Sequence, residues 1–333
     1  MPAVITLCLS LGTGRMARRN VIVRKLPSVE TLGCVSVICT DKTGTLTQNV
    51  MTAVSLVLFE RISSSIKDGE KDFNSMIVEH PIIGMAYSPD GSVMGMDEDE
   101  IRKYPEGSVA DCAAVAALCN DSKIIGHDMQ VDIQYERVGE PTEAALCVLV
   151  EKLHGAATQT NIPPSMRSCF YVDSWRTAFT RSATLEFNRD RKSMSVLCHI
   201  NSLSGKKSGN RLLVKGAPNM LVSRCTHIKL RDGTVLKITA HIREAIENAI
   251  SDLSIRPLRC IALAVKETSS LPSSLKHFEP DDSLNIRNHP LLGNSSHYAD
   301  IESSLTLVGR SAIPLMHFKH NICTHIDSSY FKS

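Results

Sequence analysis

The feature that most constrains the fold is a short apolar run, Val35–Cys39, followed after Thr40 by the polar heptapeptide Asp41–Thr47. The run is rich in β-branched residues, which predicts a strand buried on both faces of a parallel sheet. The heptapeptide reads Asp-Lys-Thr-Gly-Thr-Leu-Thr. In open α/β sheets, ligands bind at the carboxyl ends of the strands, so we expect this loop to carry chemistry.

The residues of this loop suit phosphoryl transfer. A carboxylate just beyond a buried strand, here Asp41, can attack phosphorus and hold a covalent acyl phosphate. Lys42 supplies positive charge near the transferring group, and Thr43 offers backbone and hydroxyl groups to phosphoryl oxygens. An ordinary Asp-initiated turn would explain Asp41 and Gly44 but not the whole heptapeptide. We therefore predict Asp41, Lys42 and Thr43 as catalytic residues, with Asp41 and Thr43 as Mg²⁺ ligands.

Composition excludes several classes of protein. A length of 333 residues suggests two domains, and 43% hydrophobic with 22% charged residues is enough for a folded core. The net charge of +2 excludes a strongly basic nucleic-acid binder, so we expect no nucleic-acid partner. None of the 11 cysteines forms a C-x-x-C pair. We therefore expect free thiols in a reducing compartment, with Cys34 and Cys39 buried beside the predicted strand.

The amino terminus is apolar but short. Residues Met1–Gly12 are followed by Arg15, Arg18 and Arg19. A spanning helix needs roughly 20 apolar residues, so this run cannot cross a bilayer alone. Two interpretations stay open: a buried helix end, or the cytoplasmic end of a spanning helix, for which the basic cluster is typical.

Periodicity places the other elements. Residues 61–107 have the composition of loops with a few strands, and residues 268–300 have that of a surface loop. Three helices are expected, with Ser108 capping the first: Ser108–Cys119, Pro141–Lys152 and Thr239–Leu253. Four strands are expected: Ala183–Phe187, Met194–His199, Leu212–Val214 and Ile261–Val265.

The heptapeptide resembles the phosphorylation signature of the P-type ATPases, within the haloacid-dehalogenase superfamily. Arg15–Asn20 and Leu26–Gly33 are similar to the segment before that signature in sarco/endoplasmic-reticulum calcium pumps, and Met1–Thr6 is similar to half of their fourth membrane helix. The resemblance implies an α/β fold: an α+β nucleotide-binding domain inserted in a partial haloacid-dehalogenase-like (Rossmannoid) phosphorylation domain.

Nucleotide-domain signatures of that family follow in order along the chain. They lie in Gly139–Ala144, Leu185–Val196, Val214–Pro218 and Leu258–Leu263. The resemblance implies that ATP is bound by two adjacent residues on the adenine side, by an aromatic ring that stacks on the adenine, and by cations that line the pocket or meet the phosphates. The residues implied are Thr142, Glu143, Phe187, Arg189, Lys192, Lys215 and Arg259.

The resemblance also implies a domain division and a function. We expect a membrane-helix stump (1–14), the first part of a phosphorylation domain (15–51), a nucleotide-binding domain (52–309) and a divergent tail (310–333). The family hinge and later phosphorylation motifs do not follow residue 309, so we expect a calcium-pump fragment that binds ATP without transport and forms no phosphoenzyme at a useful rate. The implied cofactors are ATP and Mg²⁺.

Two alternatives compete with the pump. One is a non-catalytic ATP-binding or interaction protein. The other is a phosphatase of the same superfamily, but such enzymes carry a motif that resembles D-x-D-G-T, and Thr43 stands where their second Asp does acid–base work.

The implied location is the endoplasmic-reticulum membrane or a related store, anchored by other segments, with this portion in the cytosol and Ca²⁺ as cargo. His317, His320, Cys323 and His325 lack the setting of a zinc site, so we expect a disordered or mispaired tail.

Overall fold

The computed structural model describes residues 2–19, 21–37, 39, 47, 48, 50–61, 73–84, 86–97, 99–129, 133–156, 161–200, 209–256, 258–279, 283–314, 317 and 318. The chain divides into two compact units: Met1–Gln48 with Phe318–Ser333, and Asn49–His317. Asp41, Lys42 and Thr43 lie outside the described residues, as do His320, Cys323 and His325.

The first unit is helical in its described part. It contains α1 (Pro2–Ala17), α2 (Pro27–Gly33) and the two-residue strand β1 (Thr47–Gln48). The apolar side chains of α1 face solvent, with Val4 and Leu11 each 63% exposed, so the interpretation of α1 as a buried helix end is wrong. Among the described residues, no helix combines the length and apolarity that a membrane crossing requires.

The strand expected at Val35–Cys39 is not formed by its described residues. Val35 and Val37 have no strand geometry and are 40% and 74% exposed. A strand is completed by hydrogen bonds to a neighbour, and no described strand of this unit pairs with these residues. Cys34 and Cys39 are exposed for the same reason, so the prediction that they are buried is wrong. Every cysteine in the described ranges is a free thiol.

The second unit is an α+β domain, which confirms the fold class predicted for this part. Its helices are α3 (Glu100–Lys103), α4 (Ser108–Leu118), α5 (Pro141–Leu153), α6 (Phe170–Ala178), α7 (Pro218–Arg224), α8 (Ala240–Ile255), α9 (Ser283–Asn288) and α10 (Tyr298–Ile301). Its strands are β2 (Ser55–Phe59), β3 (Ile77–Pro81), β4 (Lys123–Asp128), β5 (Ile133–Val138), β6 (Phe179–Asn188), β7 (Ser193–Ile200), β8 (Arg211–Gly216), β9 (Cys225–Lys229), β10 (Val235–Lys237), β11 (Leu258–Lys266) and β12 (Leu305–Pro314). The two-residue strand β13 (His317–Phe318) lies where the chain passes from this unit to the first.

A nine-stranded sheet forms the centre of this unit. Seven strands run in the order β10-β9-β12-β11-β8-β7-β6, and β2 joins β12 to β3. The pairs are antiparallel except β9–β12, which is parallel. Strands β4 and β5 form a separate hairpin.

Helices cover both faces of the sheet, and this explains the apolar runs in its strands. Leu213 of β8 belongs to a core cluster with α4 and α5, whereas Leu212 and Val214 belong to the cluster beneath α7 and α8. Because successive strand residues point to opposite faces, a sheet buried on both sides shows continuous apolar runs even when it is antiparallel. The four strands predicted here are confirmed as β6, β7, β8 and β11.

Three local expectations need correction. Gly107, not Ser108, is the N-cap of α4, and the buried Ser108 Oγ has no hydrogen-bond partner. The segment 268–300 is not only surface loop, because Leu271, Leu275 and Leu292 are buried in the cluster with α8. Strand β12 continues past the expected domain end at Gly309 to Pro314, because it pairs with both β2 and β11 there.

Candidate functional site

A cavity of about 610 Å³ opens where four neighbouring strands meet the start of α5. We call it the Lys215 cavity. Its walls come from the turn before α5, the ends of β6 and β8, the start of β7, and β11. The lining residues are Glu140, Thr142, Glu143, Phe187, Lys192, Met194, Lys215, Gly216, Ala217, Arg259, Cys260 and Ile261.

The end of β6 and the turn after it supply an aromatic ring and a cation. Phe187 is 59% exposed, although large aromatic rings are normally buried. Lys192 has a φ of 49°, an uncommon conformation for a residue with a side chain. Both residues line the cavity. Arg189, in the same turn, is exposed and does not line it.

Strand register brings Lys215 to the cavity floor. Lys215 of β8 pairs with Met194 of β7 on one side and with Leu263 of β11 on the other. The next residue, Gly216, must be a glycine because a Cβ there would lie 2.6 Å from the carbonyl oxygen of Lys192. This close approach lets β8 lie against the turn that carries Lys192.

Lys215 is paired with a carboxylate from the first turn of α5. Its Nζ lies 2.5 Å from Oε1 of Glu143, and the two side chains are only 10% and 18% exposed. The other oxygen, Oε2, accepts hydrogen bonds from the backbone N–H of Asp121 at 3.0 Å and from the hydroxyl of Ser122 at 3.4 Å. Gly139 has a φ of 103°, which a glycine adopts easily, and this conformation forms the turn just before α5.

Arg259 reaches the same helix start from β11. Its Nη1 donates to Oγ1 of Thr142 at 3.2 Å, and that hydroxyl in turn donates to Sδ of Met51 at 3.4 Å. Arg259 is exposed, so its guanidinium keeps further donors for a ligand. Beside it, Cys260 is partly buried, and burial raises the pKa of its thiol.

The charges of the lining favour an anionic ligand slightly. Lys192, Lys215 and Arg259 carry positive charge, and Glu140 and Glu143 carry negative charge, which leaves an excess of one positive charge. Since Lys215 and Glu143 neutralise each other, Lys192 and Arg259 are the cations at the wall that are most available to a ligand. An exposed ring beside such cations can hold a flat base together with an anionic group.

Comparison with known proteins identifies the family. The P-type ATPase family, cytoplasmic domain N, matches residues 108–314, which include all the cavity residues. The chain belongs to the P-type ATPases. Calcium-transporting ATPase 4, endoplasmic reticulum-type, from Arabidopsis thaliana is 40% identical over 316 residues, which cover 93% of this P-type ATPase chain. The match covers 26% of the Arabidopsis protein, so the chain spans about a quarter of its length.

In this P-type ATPase chain, the structure brings together every predicted nucleotide-site residue except Arg189: Thr142, Glu143, Phe187, Lys192, Lys215 and Arg259. The predicted catalytic residues lie outside the described residues. In the part of the chain that the structure describes, no group of three or more His, Cys, Asp or Glu side chains could hold a metal ion.

Sequence reasoning missed residues that support the cavity in this P-type ATPase. Asn120 is fully buried, and its Nδ2 donates to the carbonyls of Ala116 and Glu143, at 2.9 and 2.8 Å. It thereby joins the end of α4 to the first turn of α5. The one available signal was its place at the end of a predicted helix. Met194 and Cys260 also line the cavity, but in sequence they look like ordinary strand residues.

Proposed function

We propose that the Lys215 cavity binds ATP and that this chain is the nucleotide-binding part of an endoplasmic-reticulum-type calcium-transporting ATPase. The observation that carries the proposal is the convergence of residues that are distant in sequence. Phe187, Lys215 and Arg259 come from three different strands and Glu143 comes from a helix, yet all line one cavity. The family and the calcium-transporting relative support the same assignment.

The cavity fits the chemistry of ATP. Its volume of about 610 Å³ lies within the roughly 300–1,000 Å³ that is usual for small-molecule sites. The exposed ring of Phe187 offers a stacking face for adenine. The carboxylate of Glu143 accepts hydrogen bonds and suits the adenine amino group, whereas Lys192 and Arg259 suit phosphate oxygens.

The reaction of the larger protein is part of the proposal. The Asp41 carboxylate would attack the γ-phosphorus of ATP, forming an acyl phosphate while ADP leaves. Asp41 and Thr43 offer the hard oxygen donors that Mg²⁺ prefers, and the bound ion would neutralise phosphate charge. We further propose that this cycle drives Ca²⁺ out of the cytosol across the endoplasmic-reticulum membrane, with the present segment on the cytosolic side.

A titration of the full chain with ATP tests the nucleotide site. We expect Phe187→Ala to weaken binding roughly 5- to 150-fold, because removing the stacking face costs about 1–3 kcal/mol. Phe170→Ala is the matched control, since Phe170 is also an exposed phenylalanine, 44% exposed, but lies outside the cavity. Equal affinity of the unmodified chain and the Phe187→Ala variant would show that the site is elsewhere.

A chimera tests the transport assignment. The matching 316-residue region of the Arabidopsis calcium-transporting ATPase would be replaced by the present sequence. We expect ATP hydrolysis that depends on Ca²⁺ and is abolished by Asp41→Asn, because the amide is a much poorer nucleophile than the carboxylate. Hydrolysis that persists in Asp41→Asn would contradict the role of Asp41, and a chimera without any Ca²⁺-dependent hydrolysis would contradict the assignment of this chain to a calcium-transporting ATPase.

A further inference from the structure

The turn between β6 and β7 carries one cavity residue, Lys192, in a conformation that a residue with a side chain does not favour. Lys192 has a φ of 49°, and such a conformation costs of order 1–3 kcal/mol for a residue with a side chain. Local bonds shape the turn: the N–H of Lys192 donates to the carbonyl of Asn188 at 2.7 Å, and the N–H of Asp190 donates to Oδ1 of Asn188. Phe187 immediately precedes this turn.

A buried carboxylate lies behind the turn. Glu302, just after α10, is 0% exposed and does not line the Lys215 cavity. Its oxygens form ion pairs with Arg191, in the turn, and with Arg224 at the end of α7, the latter at 2.7 Å. They also accept hydrogen bonds from the hydroxyls of Ser193 and Ser195, at 2.6 and 2.8 Å. We call Glu302 with these four partners the Glu302 cluster.

The two arginines of the Glu302 cluster also donate hydrogen bonds to backbone carbonyls on both sides of Phe187. Arg191 donates from Nη2 to the carbonyl of Glu186, the residue before Phe187. Arg224 donates from Nη2 to the carbonyl of Arg191 at 2.6 Å, and Cζ of Arg191 lies 5.1 Å from the ring centroid of Tyr298. The backbone that carries Phe187 is thus held at its strand end and at the turn.

The same turn is also joined to the strand that carries Lys215. The N–H of Ala217 donates to the carbonyl of Lys192 at 2.9 Å, and Ser193 is opposite Gly216 in the β7–β8 pair. A shift of the turn therefore changes the distance between Phe187 and Lys215 across the cavity. Breaking a buried ion pair by removing one partner leaves the other charge uncompensated, so the cluster resists such a shift.

We propose that Glu302 and Arg191 are positioning residues for the nucleotide. Neither residue lines the cavity, and both act by fixing the backbone that presents Phe187 and Lys192. This inference rests on the proposed binding of ATP. Nothing in the sequence near residue 302 indicates this role, because Glu302 holds a turn that lies far earlier in the chain. The hydrogen bond between Ser193 and Glu302 alone spans 109 positions.

A double-mutant cycle on ATP affinity tests whether Glu302 acts through Phe187. In the full chain, we expect Glu302→Gln to weaken ATP binding roughly 2- to 30-fold, the range typical of residues that act at a distance. In the Phe187→Ala background, the same change is expected to have a smaller effect, because the ring that it positions is gone and only its effect through Lys192 remains. A merely structural role would give the same factor in both backgrounds.

Amide hydrogen exchange provides a readout that does not need the nucleotide. Without ATP, Glu302→Gln is expected to speed exchange at the N–H groups of Lys192 and Ala217, which are the bonds that hold the turn. Glu100→Gln is the matched control: Glu100 is 1% exposed and paired with Arg231 at 2.6 Å, away from the cavity. It is expected to lower stability while leaving the ATP affinity and the turn amides unchanged.

A second variant covers the case in which Glu302→Gln does not fold. Arg191→Lys keeps the charge but loses the second arm that reaches the Glu186 carbonyl, and it is expected to weaken ATP binding in the same way. The inference is overturned if these variants bind ATP like the unmodified chain, if the factor is equal in both backgrounds, or if the turn amides keep their exchange rates. Failure of Phe187→Ala itself to weaken binding would instead overturn the proposed function, and the exchange result would still stand.

Discussion

The Nζ atom of Lys215 lies 2.5 Å from Oε1 of Glu143, and this ion pair joins the central sheet to the first turn of α5. Both side chains are largely shielded from solvent, so the pair is stronger than an exposed one but depends on its other hydrogen bonds. Glu143 has these from Asp121 and Ser122. The pair therefore fixes one wall of the proposed ATP site, and removing one partner would leave the other charge without its ion pair.

Replacing Lys215 by glutamine is expected to reduce both stability and ATP affinity. A hydrogen bond to a charged group contributes about 1.5–3 kcal/mol, and we expect the lower end because Glu143 keeps its other donors. Urea denaturation of the full chain measures the change in the free energy of unfolding, and calorimetry measures the affinity. A variant as stable as the unmodified chain would show that the pair adds nothing to folding.

Replacing Gly216 by alanine is expected to weaken ATP binding by moving β8 away from the Lys192 turn. The added Cβ would lie 2.6 Å from the Lys192 carbonyl oxygen, a distance that requires the backbone to shift at a cost of about 1–3 kcal/mol.

Gly126→Ala is the matched control for this change. Gly126 lies in β4 of the β4–β5 hairpin, away from the cavity. A Cβ there would lie 2.6 Å from the carbonyl oxygen of Ser165. It is expected to lower the free energy of unfolding by a similar amount and to leave ATP affinity unchanged. If both variants lose ATP affinity equally, the effect reflects lost folding and not the geometry of the cavity.

Short motifs in the sequence predict residues that line the Lys215 cavity, but they do not predict the residues that support it. Phe187, Lys215 and Arg259 were identified because each lies in a short motif whose order along the chain is informative. Glu302 and Asn120 were not identified as part of the site, because the bonds that make them matter connect elements far apart in sequence.

The prediction of the fold had the same limit: elements set by local sequence were predicted, and those set by distant partners were not. Strands β7, β8 and β11 were predicted because local apolar runs determine them. The expected strand at Val35–Cys39 depended on a neighbouring strand, and local composition cannot supply one. The buried leucines of 268–300 were missed because they are scattered among polar residues and find their partners only through tertiary contacts with α8.

Acid is expected to destabilise the second unit through His154. Burial lowers the pKa of this imidazole to about 4, while the ring stacks on Tyr171 and accepts a hydrogen bond from Nε1 of Trp175 at 3.0 Å. The unfolded chain has a histidine pKa of about 6.5, so it binds the proton more readily than the folded state. The contribution of neutral His154 to the free energy of unfolding is fully present above about pH 6.5 and is lost as the pH falls towards 4. The loss amounts to roughly 2 kcal/mol by pH 5.

The comparison variant for this prediction is His154→Gln, which keeps an acceptor for Trp175 but does not titrate. The difference in unfolding free energy between the two proteins, measured at pH 7 and pH 5, isolates His154 from other groups. One such group is Glu151, whose pKa burial raises to about 8. A difference that stays constant between the two pH values would mean that His154 is protonated alike in the folded and unfolded chains.

The most direct test of the central claim is the rate at which Cys260 is alkylated with and without ATP. Cys260 is partly buried and lines the Lys215 cavity, whereas Cys169 is similarly exposed but lies outside it, so both rates come from one sample by mass spectrometry. Burial raises the pKa of both thiols, that of Cys169 to about 11, so both react slowly. We predict that saturating ATP slows alkylation of Cys260 several-fold and leaves Cys169 unchanged. Equal rates at Cys260 with and without ATP would contradict the claim that this cavity is the nucleotide site.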